Sequence, residues 1–353
     1  MNNKIKIAGA ALASVLFVGS ALAEIALSPN LNIDGYAAGS AEYSRYKYDG
    51  GGNKDDATLD LNAVRLNANF KYDSVGAKLS LYSPAGDNVV VPEAYVSYDF
   101  GNGFVGTAGR FLTWAGYEAF DIPALNALTY ADEWTGIIPG HHDGVKVTYT
   151  FDNFTVGAAV LDSLYGDIDL SYPYDGFNSY RGDGKVNNGS FGGELYFGYN
   201  DQTFSAAATI GYQHEHVLDG ADAFFVNVWG QYYIDSSKTT IGVELNYQNS
   251  DAWFLANADE AYFLPLVNSE IYTAQVSAKQ AITEKWAITG RLSGGSLDAD
   301  NLADKVSFVK ATVAPSLTLT ENLEVRGEVS YTTFDKAPYD SKIFVGVQAI
   351  FKF

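Results

Sequence analysis

The chain contains no cysteine and a single methionine among its 353 residues. Without cysteine it can form neither disulfide bonds nor the lipid-modified N-terminal cysteine of a lipoprotein. Beyond the first 23 residues, no stretch approaches the twenty consecutive apolar residues that a membrane-spanning helix needs. Basic residues are also scarce, with 22 Lys and Arg against 42 Asp and Glu. A net charge of −20 argues against nucleic acid as a partner.

Aromatic residues and glycine are abundant, with 25 Tyr, 21 Phe, 5 Trp and 35 Gly. Mean hydropathy is close to zero, at −0.07. This combination argues against a helical bundle and favours an all-β protein, either a secreted one or a transmembrane barrel. No linker or shift in composition divides the chain, so a single domain is predicted.

The N-terminal segment has the three-part pattern of a secretory signal peptide. Lys4 and Lys6 precede an apolar stretch, which ends in the small-residue sequence Ala-Leu-Ala. We therefore expect residues 1–23 to be removed on export, leaving a domain of residues 24–353. Removing the two lysines takes the net charge from −20 to −22.

The last thirteen residues form an alternating strand that ends in an aromatic residue. Every second side chain is apolar, which places one face against an apolar environment: Ile343, Val345, Val347, Ala349, Phe351 and Phe353. A terminal strand ending in Phe is similar to the C-terminal signal of bacterial outer-membrane barrels, which the barrel-insertion machinery reads. In a barrel, this strand pairs with the first strand and removes the open edge.

Seven short turns recur along the chain, each flanked by alternating runs, and longer polar connections separate them. They lie at residues 72–74, 100–103, 151–153, 199–201, 234–236, 283–285 and 320–322. With the first run at Leu31–Tyr48 and the terminal strand, the count is sixteen strands. The sequence predicts a transmembrane antiparallel β-barrel with short periplasmic turns and long outer loops.

Two positions strain this count, which leaves fourteen strands as an alternative. The apolar phase slips between Leu61 and Val64, which requires a β-bulge or an extension beyond the bilayer. Pro315 interrupts an otherwise regular strand and removes one hydrogen bond from the ladder.

A barrel of this size leaves a lumen that side chains do not fill. Charged and polar residues fall opposite the apolar face of their strands, where lipid would make them costly and a wet lumen would not. These predicted inward residues are Arg65, Asn67, Lys71, Lys78, Ser80, Glu93, Arg110, Lys146, Glu194, Glu244, Arg291, Lys310, Glu324, Arg326 and Glu328.

The longest outer connection, residues 113–143, is too rich in aromatic and aliphatic residues to be a disordered loop. We expect it to fold into the lumen and constrict it, with a cap over the outer mouth as the alternative. Its acids would then face wall bases such as Arg65, Lys78 and Arg110, and the transverse field would set ion selectivity. The predicted constriction and lumen residues are Arg65, Lys78, Glu93, Arg110, Glu118, Asp121, Asp132, Glu133, His142, Lys146, Arg291 and Arg326.

Residues 105–145 resemble the central motif of the beta-barrel porin-2 (OmpL-like) family of outer-membrane proteins. A strand ending in Gly-Arg-Phe leads to Gly-Tyr-Glu, and after the loop the next strand opens with His-Asp-Gly-Val. The Ala- and Leu-rich centre of the loop departs from the family pattern. The resemblance implies a porin-like diffusion channel, and by motif it marks Arg110, Gly116, Tyr117, Glu118, His142 and Gly144.

These observations predict an outer-membrane porin for passive diffusion of small hydrophilic solutes or ions, with outer-membrane lipid around it and a homotrimer as a possible assembly. Two alternatives stay open: a sugar-selective channel using outer-loop aromatics such as Tyr165, Tyr172, Tyr174 and Tyr180, or a structural barrel that does not conduct.

An enzyme is not predicted, because the four histidines form two tight clusters and no Gly-x-Ser-x-Gly nucleophile motif occurs. No cofactor and no metal site are predicted. The acidic composition suggests a preference for cations, which the wall bases could cancel or reverse.

Overall fold

The computed structural model describes most of the predicted mature chain. The described residues are 24–48, 50–84, 89–118, 121–132, 135–165, 191–215, 221–256, 263–337 and 339–353, with the backbone alone at 215, 221, 252–256 and 263–266. The predicted signal peptide therefore lies outside the described residues.

Seventeen antiparallel strands and one short 3-10 helix make up the described structure. The strands are β1 (Ile25–Ser28), β2 (Leu31–Tyr48), β3 (Asn53–Tyr72), β4 (Val75–Pro84), β5 (Val90–Gly101), β6 (Phe104–Leu112), β7 (His141–Phe151), β8 (Phe154–Leu161), β9 (Phe191–Asn200), β10 (Phe204–Glu215), β11 (Ala221–Ile234), β12 (Thr239–Ala256), β13 (Phe263–Ala281), β14 (Trp286–Asp298), β15 (Val306–Thr320), β16 (Leu323–Asp335) and β17 (Tyr339–Lys352). The 3-10 helix spans Ile122–Ala124, in the connection between β6 and β7.

Sixteen of these strands close into a barrel. Each strand from β2 to β16 pairs with the next, and β17 pairs with β2 from Tyr339↔Tyr48 to Lys352↔Tyr36. The predicted sixteen-stranded antiparallel barrel is confirmed, and the fourteen-stranded alternative is wrong. Closure is what an all-β wall in lipid requires, because it leaves no row of unpaired backbone groups along an edge.

The seven predicted turns all join consecutive strands, within a few residues of their expected positions. Asp73, Asn102 and Asp152 adopt left-handed backbone conformations there, with φ of 52°, 53° and 48°. Asn and Asp tolerate this region better than most residues do. In the turn after β9, the Asp201 carboxylate accepts hydrogen bonds from the backbone N–H groups of Phe204 and Thr203, which hold its pKa below the usual range.

One strand was not predicted. β1 is four residues long and pairs with the beginning of β2, where Ile25 lies opposite Ile33. β17 stops one residue short of the C-terminus, and Phe353 exchanges two backbone hydrogen bonds with Gly35, of 2.8 and 3.0 Å. β1 therefore occupies the edge of β2 that lies beyond the end of the chain. Four residues are too few to show a period, so this strand could not be predicted from the alternation.

Both irregular positions behave as the sequence indicated. Ala38 pairs with Ala63 and Gly39 with Leu61, so Asn62 is the extra residue of a β-bulge. Pro315 remains inside β15, where the pairing with β16 lapses between Val313 and Ser316 and resumes in the same register. The missing proline N–H thus costs part of the ladder without shifting the strands.

The two faces of the wall differ as the alternation predicts. The outward faces carry exposed apolar side chains, among them Val145, Leu245 and Val347, while the inward faces carry buried polar ones. At the end of the barrel where the short turns lie (the turn end), aromatic rings from β6 to β9 form a continuous outward row: Phe104, Tyr149, Phe151, Phe154 and Tyr199, with neighbouring centroids 4.4 to 5.5 Å apart. Aromatic rows of this kind suit the boundary between lipid and water. Within the described residues, no helix is long and apolar enough to cross a membrane.

The seam between β17, β2 and β3 can be tested with a matched pair of glycine substitutions. A Cβ at Gly35 would lie 2.2 Å from the Arg65 carbonyl oxygen and 2.9 Å from the Phe353 ring, whereas a Cβ at Gly290 would meet nothing within 4 Å. We expect Gly35→Ala to lower the free energy of unfolding by about 1–3 kcal/mol, and Gly290→Ala to leave it nearly unchanged. Urea unfolding in lipid vesicles measures both, and equal stabilities would contradict the tight seam.

Candidate functional site

The connection between β6 and β7 folds into the barrel, and we call its residues 113–140 the inward loop. Its base is closed by the Thr113 N–H, which donates to the Gly140 carbonyl oxygen at 3.1 Å. From there the chain follows the wall formed by β9, β11 and β12. The Thr113 hydroxyl donates to Glu194, the Gly116 N–H donates to the Asn227 Oδ1 at 3.1 Å, and the Tyr117 N–H donates to the Glu244 Oε1 at 2.8 Å.

Glu118 then meets the wall at β14. Its Oε2 lies 2.6 Å from the Nη1 of Arg291, and the side chains are 3% and 0% exposed. The same oxygen accepts the Ala131 N–H at 3.3 Å, and the Arg291 Nη2 donates to the Thr129 carbonyl oxygen at 2.8 Å. The pair therefore fastens both the outgoing and the returning limb of the loop. Removing one partner of so buried a pair leaves an uncompensated charge, which is strongly destabilising.

A second ionic contact lies on the other side of the barrel, at β2 and β3. The Arg65 guanidinium contacts Asp121 of the loop and also lies 2.5 Å from Glu93 of the wall. Glu93 in turn accepts from the Lys78 Nζ at 2.6 Å, and the Tyr36 hydroxyl lies 3.3 Å from the Asp121 carboxylate. Arg65 is thus shared between one loop acid and one wall acid.

The returning limb bonds to β15 and β16. Thr129 donates from its N–H and its hydroxyl to Glu328, at 2.8 and 2.5 Å, while the Lys310 Nζ donates to the Thr129 hydroxyl at 2.6 Å. The Arg326 Nη1 donates to the carbonyl oxygens of Ile122 and Ala127, at 3.2 and 3.1 Å. The loop therefore crosses the lumen and is anchored on β2, β3, β9, β11, β12 and β14–β16.

An apolar cluster fixes the loop near the end of the barrel opposite the turns (the loop end). It combines loop side chains with inward wall residues: Phe111, Trp114, Ile137, Leu161, Leu164, Tyr165, Phe225, Ile271, Leu297 and Phe308. Ring contacts extend it, since Trp114 stacks on Tyr196 at 5.5 Å and Tyr117 packs on Trp229 at 5.8 Å. Burial raises the pKa of the Tyr117 phenol above its usual value. The aromatic and aliphatic loop residues that argued against a disordered loop are packed in these contacts.

Most of the predicted lumen residues do lie inside the barrel. Arg65, Glu93, Glu118, His142, Arg291 and Arg326 are buried, and Lys78 and Lys146 are partly exposed on inward faces. Asp121 bonds to Arg65, as expected of a loop acid facing a wall base. Asp132 instead bonds within the loop, to Thr135, and Glu133 lies outside the described residues. Among the described residues, no group of three or more His, Asp or Glu is arranged to hold a metal ion.

Arg110 is a correction, because it points out of the barrel. It lies opposite Ala94 on β5 and Asp143 on β7, on the same face as the exposed Ala108, whereas its neighbour Phe111 is buried inside. Its Nε and Nη2 reach the Asp143 carboxylate at 2.7 and 2.5 Å. On the outward face of β6, the small residues Gly106 and Ala108 precede Arg110, so the apolar signal there was weak and was assigned to the wrong phase.

Several residues that anchor the loop were not predicted for that role. Glu194, Glu244, Lys310 and Glu328 were expected only as inward residues, and Asn227 was not singled out at all. Asn227 lies on β11, where it accepts the Gly116 N–H and its amide donates to Glu244 at 2.8 Å. Its inward phase on β11 is the signal that was available in the sequence.

The side of the lumen formed by β4–β8 keeps partly exposed side chains. Lys78 is 23% exposed, and Tyr95, Val105 and Lys146 are also partly exposed there. The Lys146 Nζ lies over the Phe111 ring at 4.2 Å and over the Trp114 ring at 5.1 Å, at the edge of the inward loop. At the level of the loop, a path along the barrel therefore runs between the loop and this wall.

Residues 30–353 match the profile of the family described as "Putative beta-barrel porin-2, OmpL-like". The chain belongs to this porin family. No curated protein sequence matches the chain.

Solved outer-membrane proteins share the barrel at low sequence identity. OmpF of Salmonella typhi is 13% identical, covering 94% of this chain and 100% of that one, with a TM-score of 0.65. An anion-selective porin from Comamonas acidovorans is 12% identical, covering 92% and 99%, with a TM-score of 0.64. The channel DcaP of Acinetobacter baumannii is 14% identical, covering 92% and 97%, with a TM-score of 0.62. These likenesses establish the fold, and the family match identifies the chain as a porin.

The absence of cysteine allows the Glu118–Arg291 pair to be tested with an introduced thiol. Ala131 is 7% exposed and bonds directly to Glu118, so a cysteine at this position should react slowly with a maleimide. Glu118→Gln leaves Arg291 buried without a counter-charge, at a cost of about 3–5 kcal/mol, and should speed labelling of Ala131→Cys at least about tenfold.

The matched control for that experiment is Glu284→Gln in the exposed turn after β13, which removes one acid outside the lumen. Labelling rates measured in folded protein should be the same with and without this control change. An equal rate in the Glu118→Gln background would show that the pair does not hold the loop.

Proposed function

We propose that this porin allows passive diffusion of small hydrophilic solutes or ions through a lumen narrowed by residues 113–143. The crossing of the lumen by the inward loop, bonded to wall strands on both sides, carries this proposal. At the level of the loop, a loop fixed in this way restricts the path to the side of β4–β8. Solutes would pass there beside Tyr95, Lys78 and Lys146.

We propose the bacterial outer membrane as its location, after export directed by residues 1–23. The outward apolar faces and the aromatic row at the turn end suit a lipid environment. The alternating terminal strand that ends at Phe353 would serve as the signal for the insertion machinery. A homotrimer is the proposed assembly, and the small outward residues Ala37, Gly39 and Ala41 of β2 would permit close approach of a second copy.

A channel fits the inward charges better than an enzyme does. Glu118, Arg291, Arg65 and Glu93 bond to each other or to the loop, which is an arrangement that holds a structure in place. Catalysis requires a nucleophile and a base aimed at a common reacting atom.

The structure gives little support to the sugar-selective alternative, which depends on aromatic residues of the outer loops. Tyr172, Tyr174 and Tyr180 lie outside the described residues, while Tyr165 is buried and donates from its hydroxyl to the Ile137 carbonyl oxygen at 2.9 Å. Tyr165 is therefore used in holding the inward loop. The non-conducting alternative is favoured by the near-complete burial of Arg291, Lys310 and Arg326, and the experiment below separates it from a pore.

Planar-bilayer recording of the refolded mature chain tests the proposed diffusion. We expect discrete openings, in groups of three equal steps if the assembly is a homotrimer. Protein from the same preparation, unfolded by heat before addition, is the control and should give no openings. A folded barrel that shows none would refute the diffusion porin and leave the structural barrel.

A further inference from the structure

The turn end of the lumen carries three basic side chains, on β13, β16 and β17. Lys279 is two residues from the end of β13, Arg326 is the fourth residue of β16, and Lys352 is the last residue of β17. All three follow the inward phase of their strands. The charges of Arg326, Glu324 and Lys352, and also that of the loop acid Glu118, act on Lys279, and Glu324 in turn is acted on by all three bases.

Glu324 is the acid that neutralises part of this group. Its carboxylate lies 2.9 Å from the Arg326 Nη2 and 3.5 Å from the Lys352 Nζ. These four groups together carry a net charge of +2. Glu328, two residues from Arg326 on the same face of β16, is bonded to Thr129, whose hydroxyl also accepts from Lys310. Within the described part of the chain, Lys279 has no ion-pair partner, and its side chain is exposed.

The inward loop contacts this group directly through its backbone. Arg326 donates to backbone carbonyl oxygens of the loop, at Ile122 and Ala127. The loop acids are bonded elsewhere, with Glu118 on Arg291 and Asp121 on Arg65. Arg326 and Lys352 are each 2% exposed, so Lys279 is the base of this group that is open to the lumen below the loop.

Hydroxyl side chains lie between the bases along the wall. Thr289 of β14 is directly opposite Lys279, and Ser316 of β15 is directly opposite Arg326. Three strand spacings of about 4.8 Å separate β13 from β16, and the long Lys279 and Arg326 side chains can converge over the small residues between them. Ammonium, guanidinium and hydroxyl donors together suit a small oxyanion.

We propose that Lys279, Arg326 and Lys352, with Thr289 and Ser316, form an anion-binding site at the turn end of the lumen and make the channel prefer anions. This inference rests on the proposed diffusion function and narrows its solute class to small inorganic or carboxylate anions. The net charge of −20 of the whole chain would suggest a preference for cations. Permeating ions respond mainly to the charges that line their path, so the local positive charge of the lumen decides the preference.

Reversal potentials across a KCl gradient test the preference. The wild-type channel should pass chloride more readily than potassium, and Lys279→Gln should lower the chloride-to-potassium permeability ratio about twofold. Lys238→Gln is the matched control. It removes the same charge from an exposed turn, where Lys238 bonds to Asp235 at 2.5 Å, and should leave the ratio unchanged. Heat-modifiable migration on gels confirms that each variant is folded.

Inorganic phosphate supplies a second readout at the same site. Phosphate added on the turn side should reduce the chloride current of the wild-type channel, and at least about twofold more phosphate should be needed in Lys279→Gln. Conducting channels that prefer potassium, or a Lys279→Gln ratio and phosphate effect equal to the wild type, would overturn the anion site and leave the porin proposal standing. Folded barrels without openings would overturn both.

Discussion

The buried ion pair between Glu118 and Arg291 fixes the interior of this barrel. It joins the outgoing limb of the inward loop to β14, and through Thr129 and Ala131 it also holds the returning limb. The other contacts of the loop follow from this position. With Glu118 fixed on β14, Asp121 reaches Arg65 on β3, and the 3-10 helix at Ile122–Ala124 presents carbonyl oxygens to Arg326. Because the loop acids form ion pairs with wall bases at two separate places, the loop is held in a fixed position against the wall.

Most of the barrel wall could be predicted from the sequence, because its residues alternate regularly between the outward and the inward face. Alternation with a period of two, interrupted by turns of Asp, Asn and Gly, gave the number of strands and most of their limits. The bulge at Asn62 was visible as a slip in that alternation. Where the alternation was weak, the prediction failed: the small outward residues of β6 put Arg110 on the wrong face, and β1 was too short to show any period.

The interior could be predicted only in part, because its contacts depend on the stagger of sixteen strands. Glu118 and Arg291 are 173 residues apart, and Thr129 and Glu328 are 199 apart. A period identifies which residues point inward, but the register of every intervening strand decides which of them meet. The sequence therefore indicated that a loop rich in Trp, Tyr and Leu would pack inside with its acids facing wall bases. It did not assign the individual pairs, such as Asp121 with Arg65 or Glu118 with Arg291. It could not assign Glu194, Asn227 and Glu244 as anchors.

The central claim is that the inward loop narrows the channel, and unitary conductance tests it most directly. The Thr113–Gly140 bond closes the base of the loop, so residues 117–135 can be replaced by a short Gly-Ser linker without breaking the wall. The account predicts that the shortened protein remains a folded, heat-modifiable barrel and conducts several-fold more than the complete chain. Equal conductance in the two proteins would contradict it, because the loop would then lie outside the path that limits flow.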